Sequence, residues 1–593
     1  MNRFESFSKC VERLLRFGII LVCLGTLTAA EDAPRLVGLW GGDLSFGPKL
    51  KGKLVVDGRG ADWIAKIGGL TVEVVKNGSH LRFEAPDDQG AFRGELSEDD
   101  RSIVGQWIQP AGVTFNSPYA TPVLLSRADD RVWRGDLVPV EDHLTLYLLV
   151  ESKPDGGLTA SMRNPELNFG RDGPYTVDIE GGAIRLVSTA SGSDPIRGTY
   201  DRGQDRLSLI LPGGLNVELS RRNRRNAAGF YPAPSPKASV SYHRPVGMND
   251  GWSTGSLADA GLDPKVLGRL VKQILTTPYS GFRTPYIHSL LIARHGKLVL
   301  ERYFYGFDAG SSHDMRSASK TFAGVLLGLA RHRTNDVPLN TPIRSFLPEY
   351  DDVIAAHSLK AGITIRDLLT MTSGLACDDN DDTSPGNEDR MQSQRKQPDW
   401  CRFTLSLPMV RKPGLTTAVY CSGAVNVLGA VVRQLTKQPV PEFFYEHWAK
   451  PLRLRTYHIN LMPNGKAYLG GGMRMRPRDQ LKLGQVYLNG GMWNGHRIVD
   501  GEWVRDSLRE YSNFTPTHGY GFTWHVIDLK SSGETYRVYE AGGNGGQFVL
   551  VIPSLDMVVG FTGGNYGDFR TWNRFMTELV PQYIIPAAES GQR

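Results

Sequence analysis

Alternation of apolar and polar residues dominates the first part of the chain, from residue 36 to about residue 222. Short alternating stretches such as Lys53–Val56, Thr71–Val75 and Leu144–Val150 are separated by glycine, aspartate and asparagine turns. Side chains of a β-strand point to opposite faces in turn, so a period of two predicts strands with one buried face. Residues 31–222 are therefore predicted to form an all-β N-terminal region.

Two pairs of segments within this region resemble each other. Gly38–Leu44 is similar to Arg131–Leu137, and Phe92–Leu96 is similar to Ile196–Tyr200. Recurrence in the same order predicts two repeated β-units of roughly 90 residues each. Chance similarity between strand-rich segments is the alternative, because two pairs are few.

The pattern changes to mixed helix and strand at about residue 257. Ile287–Phe304 alternates around a His295-Gly296 turn and predicts a hairpin, and Ser317–Arg331 carries the apolar run of a buried helix. Residues 223–256 are basic and proline-rich and predict a linker before a second domain, 257–593. Further predicted elements are helices at Ile365–Met371, Val425–Leu435 and 571–585 and strands at Gln547–Ile552 and Met557–Phe561.

The first thirty residues predict a secretory signal peptide, residues 1–30. Basic residues precede an apolar run from Phe17 to Leu27, and Thr28-Ala29-Ala30 follow. This order is typical of a cleaved signal, and the run is short for a bilayer span, so a membrane anchor is the less favoured alternative. The protein is therefore expected to be exported, to the periplasm or the extracellular space.

Composition limits the function classes. The 593 residues suffice for roughly two to four domains, and a net charge of +6 over that length does not indicate a nucleic-acid partner. Cleavage of the signal leaves Cys377, Cys401 and Cys421, enough for one disulfide and one free thiol. A Cys377–Cys401 bridge would close a polar loop, but the sequence does not fix the pairing, and Cys421 is interpreted as a packing residue.

Several motif matches lack the context that their chemistry requires. Gly251–Gly255 fits G-x-S-x-G, but no buried strand precedes Ser253, which is interpreted as a turn or cap residue. Asp378–Asp382 lacks the glycine and the distant glutamate of a calcium loop and predicts a solvated acidic loop. Gly542–Gly546 lacks the following Lys-Ser/Thr of a phosphate loop. No metal or cofactor is expected.

The motif Ser317–Lys320 is an S-x-x-K match that opens an apolar helix. Two other matches begin at Ser6, in the predicted signal, and at Ser393, in a polar loop. Residues three apart share a helix face, so Lys320 can reach the Ser317 hydroxyl. A partly desolvated lysine near the positive end of a helix loses pKa and can act as a base. The alternative is that Ser317 is an N-cap and Lys320 a solvated residue.

Five segments of the second part carry a family resemblance. They are Ile287–Lys297, Arg316–Thr321, Ile363–Leu375, Tyr420–Gly429 and Gly542–Gln547. In motif, order and spacing the chain here resembles the serine β-lactamase and penicillin-binding-protein superfamily. Within it, the class C β-lactamase-related esterases and the 6-aminohexanoate-dimer hydrolases are most similar. The resemblance covers about half of the chain and implies an α+β domain with an antiparallel sheet flanked by helices.

The resemblance implies a role for each matching residue. Ser317 matches the acylated nucleophile, Lys320 the lysine that activates it, and Tyr420 the tyrosine that shuttles a proton. The N–H of Ser317 and one from the strand near Gly543–Asn544 would bind the oxyanion. A tyrosine with a pKa of about 10 can shuttle a proton only if Lys320 lowers that pKa or shares its proton.

Two positions depart from the family pattern. Ser422 stands at the asparagine of the Y-x-N motif and is predicted to line the substrate site. Ala541 stands where β-lactamases have the lysine or histidine that helps hold the substrate carboxylate. Loss of that cation argues against efficient β-lactam hydrolysis and favours an uncharged ester or amide.

These residues predict an exported serine hydrolase that cleaves ester or amide bonds of small molecules or short peptides through an acyl-enzyme on Ser317. A β-lactamase or a D-amino-acid peptidase acting on cell-wall peptides is the alternative within the class. A catalytically inactive scaffold, whose β-rich region binds a polymer or protein partner, is the alternative outside it. The complete set of Ser317, Lys320 and Tyr420 argues against the scaffold.

Overall fold

The structure is a computed structural model that describes residues 34–590, except 61, 112–116, 169, 172, 191, 234, 236–239, 335 and 395–396. The predicted signal peptide lies outside the described residues. Among the residues described, no helix is both long and apolar enough to cross a membrane. The chain divides into two compact units: residues up to Leu44 with Leu144–Phe230 and Tyr279–Phe282, and Ser45–His143 with Tyr231–Pro278 and Arg283 onward.

The predicted all-β region is confirmed by a series of strands. In chain order they are Gly38–Phe46 (β1), Gly52–Asp57 (β2), Ile64–Ile67 (β3), Leu70–Glu73 (β4), Val75–Asn77 (β5), His80–Ala85 (β6), Gly90–Leu96 (β7), Ser102–Gln109 (β8), Tyr119–Asp129 (β9), Val132–Leu137 (β10), Asp142–Ser152 (β11), Leu158–Arg163 (β12), Tyr175–Glu180 (β13), Ala183–Ser188 (β14), Ile196–Asp201 (β15), Arg206–Ile210 (β16) and Asn216–Arg221 (β17).

Each unit contains a sheet built mainly from strands that follow one another in sequence. In both sheets one strand, β1 or β10, lies far in sequence from a strand that it pairs with. In the first unit, β1 and β11–β17 form a closed sheet of eight strands, with β1 between β17 and β11. In the second unit, strands run in the order β4-β3-β2-β10-β9-β8-β7-β6-β5, with β10 between β2 and β9. Thus β1 joins strands that follow it by about a hundred residues, and β10 joins the strands that precede it.

The exchanged strands carry the similar segments Gly38–Leu44 and Arg131–Leu137. Gly42 and Gly135 each lie against a carbonyl oxygen of the neighbouring strand, so neither position has room for a Cβ atom. Glycine permits such a close approach of two backbones. The two segments therefore have corresponding packing, while the domain boundaries drawn from the sequence stay predictions.

The remaining strands and helices follow residue 250. The strands are Ser253–Thr254 (β18), Ile287–Arg294 (β19), Lys297–Tyr303 (β20), His313–Asp314 (β21), Tyr457–Asn460 (β22), Arg474–Met475 (β23), Met492–Trp493 (β24), His496–Arg497 (β25), Ser512–Thr515 (β26), His518–Tyr520 (β27), His525–Ser531 (β28), Glu534–Gly543 (β29), Gln547–Ile552 (β30) and Met557–Gly563 (β31). The α-helices are Pro264–Leu275 (α1), Thr321–Arg333 (α2), Asp351–Ile354 (α3), Ser358–Ala361 (α4), Ile365–Leu369 (α5), Glu388–Ser393 (α6), Trp400–Ser406 (α7), Ser422–Thr436 (α8), Val440–Phe444 (α9), Pro477–Leu488 (α10), Gly501–Ser507 (α11), Phe569–Arg574 (α12) and Ile585–Ser590 (α13).

The linker predicted over residues 223–256 is not a free connection in its second part, because residues from about 242 onward pack against the C-terminal sheet. The Tyr242 hydroxyl donates hydrogen bonds to the carbonyl oxygens of Gly255 and Val299. Trp252 is buried, and Ser253 lies in β18, which pairs in parallel with β20. Ser253 is therefore not at a strand-to-helix elbow, and G-x-S-x-G has no catalytic setting here.

The C-terminal part is an antiparallel sheet flanked by helices, as the α+β fold class predicts. Its order is β18-β20-β19-β31-β30-β29-β28-β27-β26, and the β18–β20 pair alone is parallel. Helix α10 packs on β19, β30 and β31, and the first ten residues of α2 are fully buried. The predicted hairpin, now β19–β20, and the predicted apolar helix, now α2, are confirmed because each has a local period that burial enforces.

The sheet of the second unit extends directly to the segment of the S-x-x-K motif. Strand β9 pairs with β22, β22 pairs with β23, and β23 pairs with β21. Strand β21 ends at Asp314, two residues before the 3₁₀ turn Arg316–Lys320. Backbone hydrogen bonding of the β-rich region thereby fixes where that turn begins.

Candidate active site

Ser317 lies in the 3₁₀ turn Arg316–Lys320, which leads directly into α2. The Arg316 backbone is left-handed, with φ +48°, and its N–H donates to Asp314 Oδ1 at 2.7 Å. Lys320 Nζ donates to Ser317 Oγ at 2.8 Å. Ser317 lies inside the turn, whose N-cap is Met315, so it is not an N-cap residue. The predicted contact of lysine and serine is present.

Lys320 is desolvated, and its alternative interpretation as a solvated residue is wrong. Its side chain is buried, with a relative exposure of 2 % for the residue. Burial lowers the pKa of Lys320, while the charges of Glu388 and Asp379 act in the opposite direction. A lysine whose charged form is disfavoured can accept the Ser317 proton as the hydroxyl attacks a carbonyl.

Tyr420 lies over the same group. The Lys320 ammonium is 4.9 Å from the centroid of the Tyr420 ring, and the His525 ring stacks on Tyr420 at 6.1 Å. Burial raises the pKa of Tyr420 above its ordinary value, although a hydrogen bond with Ser317 acts against that rise. The sequence suggested that Lys320 either lowers the pKa of Tyr420 or shares its proton. The pKa is raised instead, so the first of these alternatives is wrong. A raised pKa keeps Tyr420 a neutral phenol that can donate a proton, and the buried Lys320 is the candidate base.

A disulfide fixes the segment that carries Tyr420. Cys377 is bonded to Cys421, so a Cys377–Cys401 bridge is excluded and Cys421 is not a free packing residue. Cys401 is the buried free cysteine among the described residues. Next to the bridge, the Asp379 N–H donates to the carbonyl oxygen of Tyr420 at 2.8 Å. The bridge and this bond hold the acidic loop against Tyr420.

Ser422 binds a carboxylate rather than the substrate. It is fully buried at the start of α8, and both its N–H and its hydroxyl donate to Asp379 Oδ2 at 2.7 Å. The prediction that Ser422 lines the substrate site is therefore wrong. A helix N-terminus favours an anion because its backbone N–H groups and dipole are positive. Ser422 accordingly positions Asp379 beside the buried lysine.

Asp379 and Glu388 form an acidic pair that the sequence missed. Burial, and after it the charge of Glu388, raises the pKa of Asp379 to about 6. Glu388 accepts a hydrogen bond from the Tyr468 hydroxyl at 2.5 Å. The predicted solvated loop is thus wrong at Asp379, although Asp381 is exposed. A run of aspartates gives no sign that one member is half-buried and bonded to a helix N-terminus, so only the tertiary contact identifies it.

Strand β29 passes next to the serine. A Cβ atom at position 543 would collide with the Met315 carbonyl and crowd the Ala318 N–H, so only glycine allows this approach. Gly543 therefore lies where a backbone N–H for the oxyanion is predicted. The Asn544 side chain is exposed, and its Oδ1 accepts from the Gly567 N–H at 2.9 Å. Asn544 thus supports a loop with its side chain, and the oxyanion role of this strand stays a prediction.

Glu540, not Ala541, faces Tyr420 from β29. Ala541 is buried in the hydrophobic core. Glu540 is opposite His525 in the β28–β29 ladder, and its charge acts on Tyr420. Neighbouring residues of a strand point to opposite faces, so Glu540 lies next to Ala541, the expected cation position, but on the other face of β29. An acidic residue therefore stands in that region, and burial raises the pKa of Glu540 to about 7.

Comparison with known families and proteins gives a consistent result. Residues 288–579 match the family model described as beta-lactamase. The 6-aminohexanoate-dimer hydrolase of Paenarthrobacter ureafaciens is 26% identical over 231 residues, which are 37% of this chain and 56% of that protein. Protein flp of Staphylococcus aureus strain MW2 is 26% identical over 178 residues, 28% of this chain and 33% of that protein. The chain thus spans about half, or less, of the length of these relatives.

Solved structures of similar shape include EstCE1, described as a hydrolase with promiscuous acyltransferase activity. It is 18% identical with a TM-score of 0.42, and the match covers 57% of this chain and all of that one. A likeness of that size says nothing about the substrate.

Proposed function

The C-terminal part of the chain, residues 288–579, belongs to the beta-lactamase family of hydrolases, and from this premise we propose that the protein is an exported serine hydrolase. It cleaves ester or amide bonds through an acyl-enzyme on Ser317. The observation that carries the proposal is the 2.8 Å contact between the buried Lys320 Nζ and Ser317 Oγ. That contact joins a nucleophile to a base, which is the minimum that acyl transfer requires.

Acylation uses three groups. Lys320 takes the Ser317 proton while Ser317 Oγ bonds to the substrate carbonyl carbon, and the carbonyl oxygen becomes an oxyanion held by backbone N–H groups. As the intermediate collapses, Tyr420 gives its proton to the departing alcohol or amine, and Lys320 returns a proton to Tyr420. The products of this half-reaction are the acyl-enzyme and the neutral leaving group.

Deacylation reverses these roles with water. Water attacks the acyl carbon and gives its proton to Lys320, directly or through the Tyr420 hydroxyl. The Ser317 oxygen leaves and takes that proton back from Lys320, so the carboxylic acid departs and Lys320 is neutral again. The site is unchanged after one cycle, and each proton has a named donor and acceptor.

The acidic residue in β29 favours an esterase or amidase over a β-lactamase. The cation that would hold a substrate carboxylate is replaced by the apolar Ala541, and the neighbouring Glu540 brings a carboxyl whose charge repels a second carboxylate. A D-amino-acid peptidase that binds the terminal carboxylate of a cell-wall peptide is disfavoured for the same reason. A polymer or protein partner for residues 31–222 stays a prediction.

Export is supported by cysteine chemistry. The Cys377–Cys421 disulfide beside the site is the kind of bond that persists in the periplasm or outside the cell and is rare in the cytosol. It agrees with the basic, apolar and small-residue order of residues 1–30.

Ester turnover tests the proposal. Purified mature protein is expected to hydrolyse p-nitrophenyl acetate and butyrate, and Ser317→Ala to lose about a thousandfold or more of kcat/KM. Ser393→Ala, which changes the exposed serine of another S-x-x-K match, is the control and should keep full activity. Nitrocefin in parallel should not be turned over. Equal ester turnover by wild type and Ser317→Ala would reject the proposal, and a folded but inactive wild type would favour the binding scaffold.

A further inference from the structure

The carboxyl of Glu540 is buried without a partner in the part of the chain that the structure describes. The residue has a relative exposure of 7 %. Burial is the one influence on its titration, and neither a hydrogen bond nor an ion pair to its carboxyl is found among the described residues. A buried carboxyl that forms no hydrogen bond carries a desolvation penalty, so a group that supplies one binds it favourably.

The position of Glu540 is on the leaving-group side of the site. Its charge acts on Tyr420 and on Tyr520, and His525, opposite to it in the ladder, stacks on Tyr420. Tyr420 is the residue that gives its proton to the departing alcohol or amine. A group that is held against Glu540 is therefore part of the leaving group rather than of the acyl chain.

The same face of β29 opens towards solvent. Exposure rises from the buried Glu540 to the half-buried Gly542, and the turn that follows the strand begins with the exposed Asn544. A Cβ atom at position 542 would collide with Oε1 of Glu540, so glycine there leaves the carboxyl accessible from the open end. The Glu540 carboxyl therefore lies at the buried end of this strand face, and solvent lies beyond its other end.

We propose that Glu540 binds a cationic group of the substrate, an ammonium carried by the alcohol, thiol or amine that leaves. The inference rests on the proposed function, because it assigns the substrate class of the same site. An ammonium supplies the charge and the hydrogen bonds that the carboxyl lacks, and the carboxylate of an anionic leaving group is repelled. The site therefore selects leaving groups by their charge.

Three butyrate thioesters of similar size test this selection. Their leaving thiols are 3-(dimethylamino)propane-1-thiol, 4-methylpentane-1-thiol and 3-mercaptopropionate, which at pH 8 are cationic with an N–H donor, neutral and anionic. Wild type is expected to give kcat/KM at least about tenfold higher for the cationic than for the neutral thioester, and the lowest value for the anionic one. Release of thiol at pH 8 measures all three.

Two substitutions connect the selection to the residue. Glu540→Gln should bring the ratio of cationic to neutral kcat/KM to about one, and the ratio is compared within each variant, so that a change common to all three substrates cancels. Glu540→Lys should reverse the order of cationic and anionic thioesters. Glu534→Gln is the matched control, because it makes the same change at an exposed residue of the same strand and should keep the wild-type ratio. Should Glu540→Lys not fold, Glu540→Gln alone decides.

The outcomes separate this inference from the proposed function. A ratio of cationic to neutral kcat/KM near one in wild type, or a ratio that Glu540→Gln leaves unchanged, overturns the inference. If the neutral thioester is still turned over through Ser317, the proposed hydrolase function is upheld. Absence of all thioester turnover in folded wild type overturns both.

Discussion

At the scale of single residues, Lys320 is controlled by two opposing influences. Burial favours its neutral form, and the carboxylates of Asp379 and Glu388 favour its charged form. Asp379 is held in place by Ser422 and by its own N–H bond to Tyr420. The acidic pair therefore acts on the protonation of Lys320, the proposed base, although the structure places neither carboxylate in contact with Ser317.

Asp379→Asn should make the base active at lower pH. Above about pH 6 the Asp379 carboxylate is charged and raises the pKa of Lys320, so removal of that charge lowers it. Activity requires neutral Lys320 and rises with pH through that pKa. The rising limb of kcat/KM against pH for p-nitrophenyl butyrate is therefore expected to move down by about one pH unit.

The control for this change is Asp382→Asn, which neutralises an exposed member of the same loop and should leave the profile in place. A limb that moves to higher pH in Asp379→Asn, or moves equally in both variants, would show that the acidic pair does not act on Lys320.

The sequence predicted the contact between Ser317 and Lys320 that the structure contains, but it did not predict the groups around them. Ser317 and Lys320 were predictable because three-residue spacing on a helical turn brings them together locally. Glu540 was missed because a shift of one position in a strand exchanges its two faces, and glycine-rich segments do not reveal which register is used. Ser422 was misassigned because its partner Asp379 is distant in sequence.

At the scale of secondary-structure elements, the disulfide joins the acidic loop to the residue before α8. Cys377 and Cys421 are 44 residues apart, and the segment between them contains α6 and α7. Asp379 follows one end of the bridge and Tyr420 precedes the other. The bridge thus holds two groups of the site against each other.

Removal of this bridge should lower stability and activity together. Cys377→Ser with Cys421→Ser is expected to cost about 4 kcal/mol of unfolding free energy, the loop-closure term for this separation, measured by urea unfolding. The kcat/KM for p-nitrophenyl butyrate should fall at least about tenfold, because Tyr420 and Asp379 lose a common anchor.

Cys401→Ala is the matched control, since it removes a thiol that is not bridged. It should retain ester turnover near the wild-type value. Full activity of the double variant would show that hydrogen bonds alone hold the loop.

Element prediction followed local periodicity. The hairpin β19–β20 and the helices α2, α5 and α8 were predicted within a few residues, because each has its own apolar pattern. The cysteine pairing was not predictable, since spacing alone does not select among the three possible pairs.

At the scale of the whole molecule, the duplicated segments show what sequence similarity conveys. The similarity of the two segments predicted related strands, and β1 and β10 do have corresponding packing at Gly42 and Gly135. It did not predict that each joins the sheet of the other half, because strand pairing over about a hundred residues leaves no local signal. The β9–β22–β23–β21 path that ends beside the nucleophile is equally non-local.

The central claim is that Ser317 is acylated with Lys320 as its base. The most direct test is reaction of the mature protein with a fluorophosphonate probe, followed by peptide mass mapping. The account predicts one adduct per chain on Ser317, absent in Ser317→Ala and formed at least about a hundredfold more slowly in Lys320→Met. An adduct on another residue, or none on folded wild type, would contradict it.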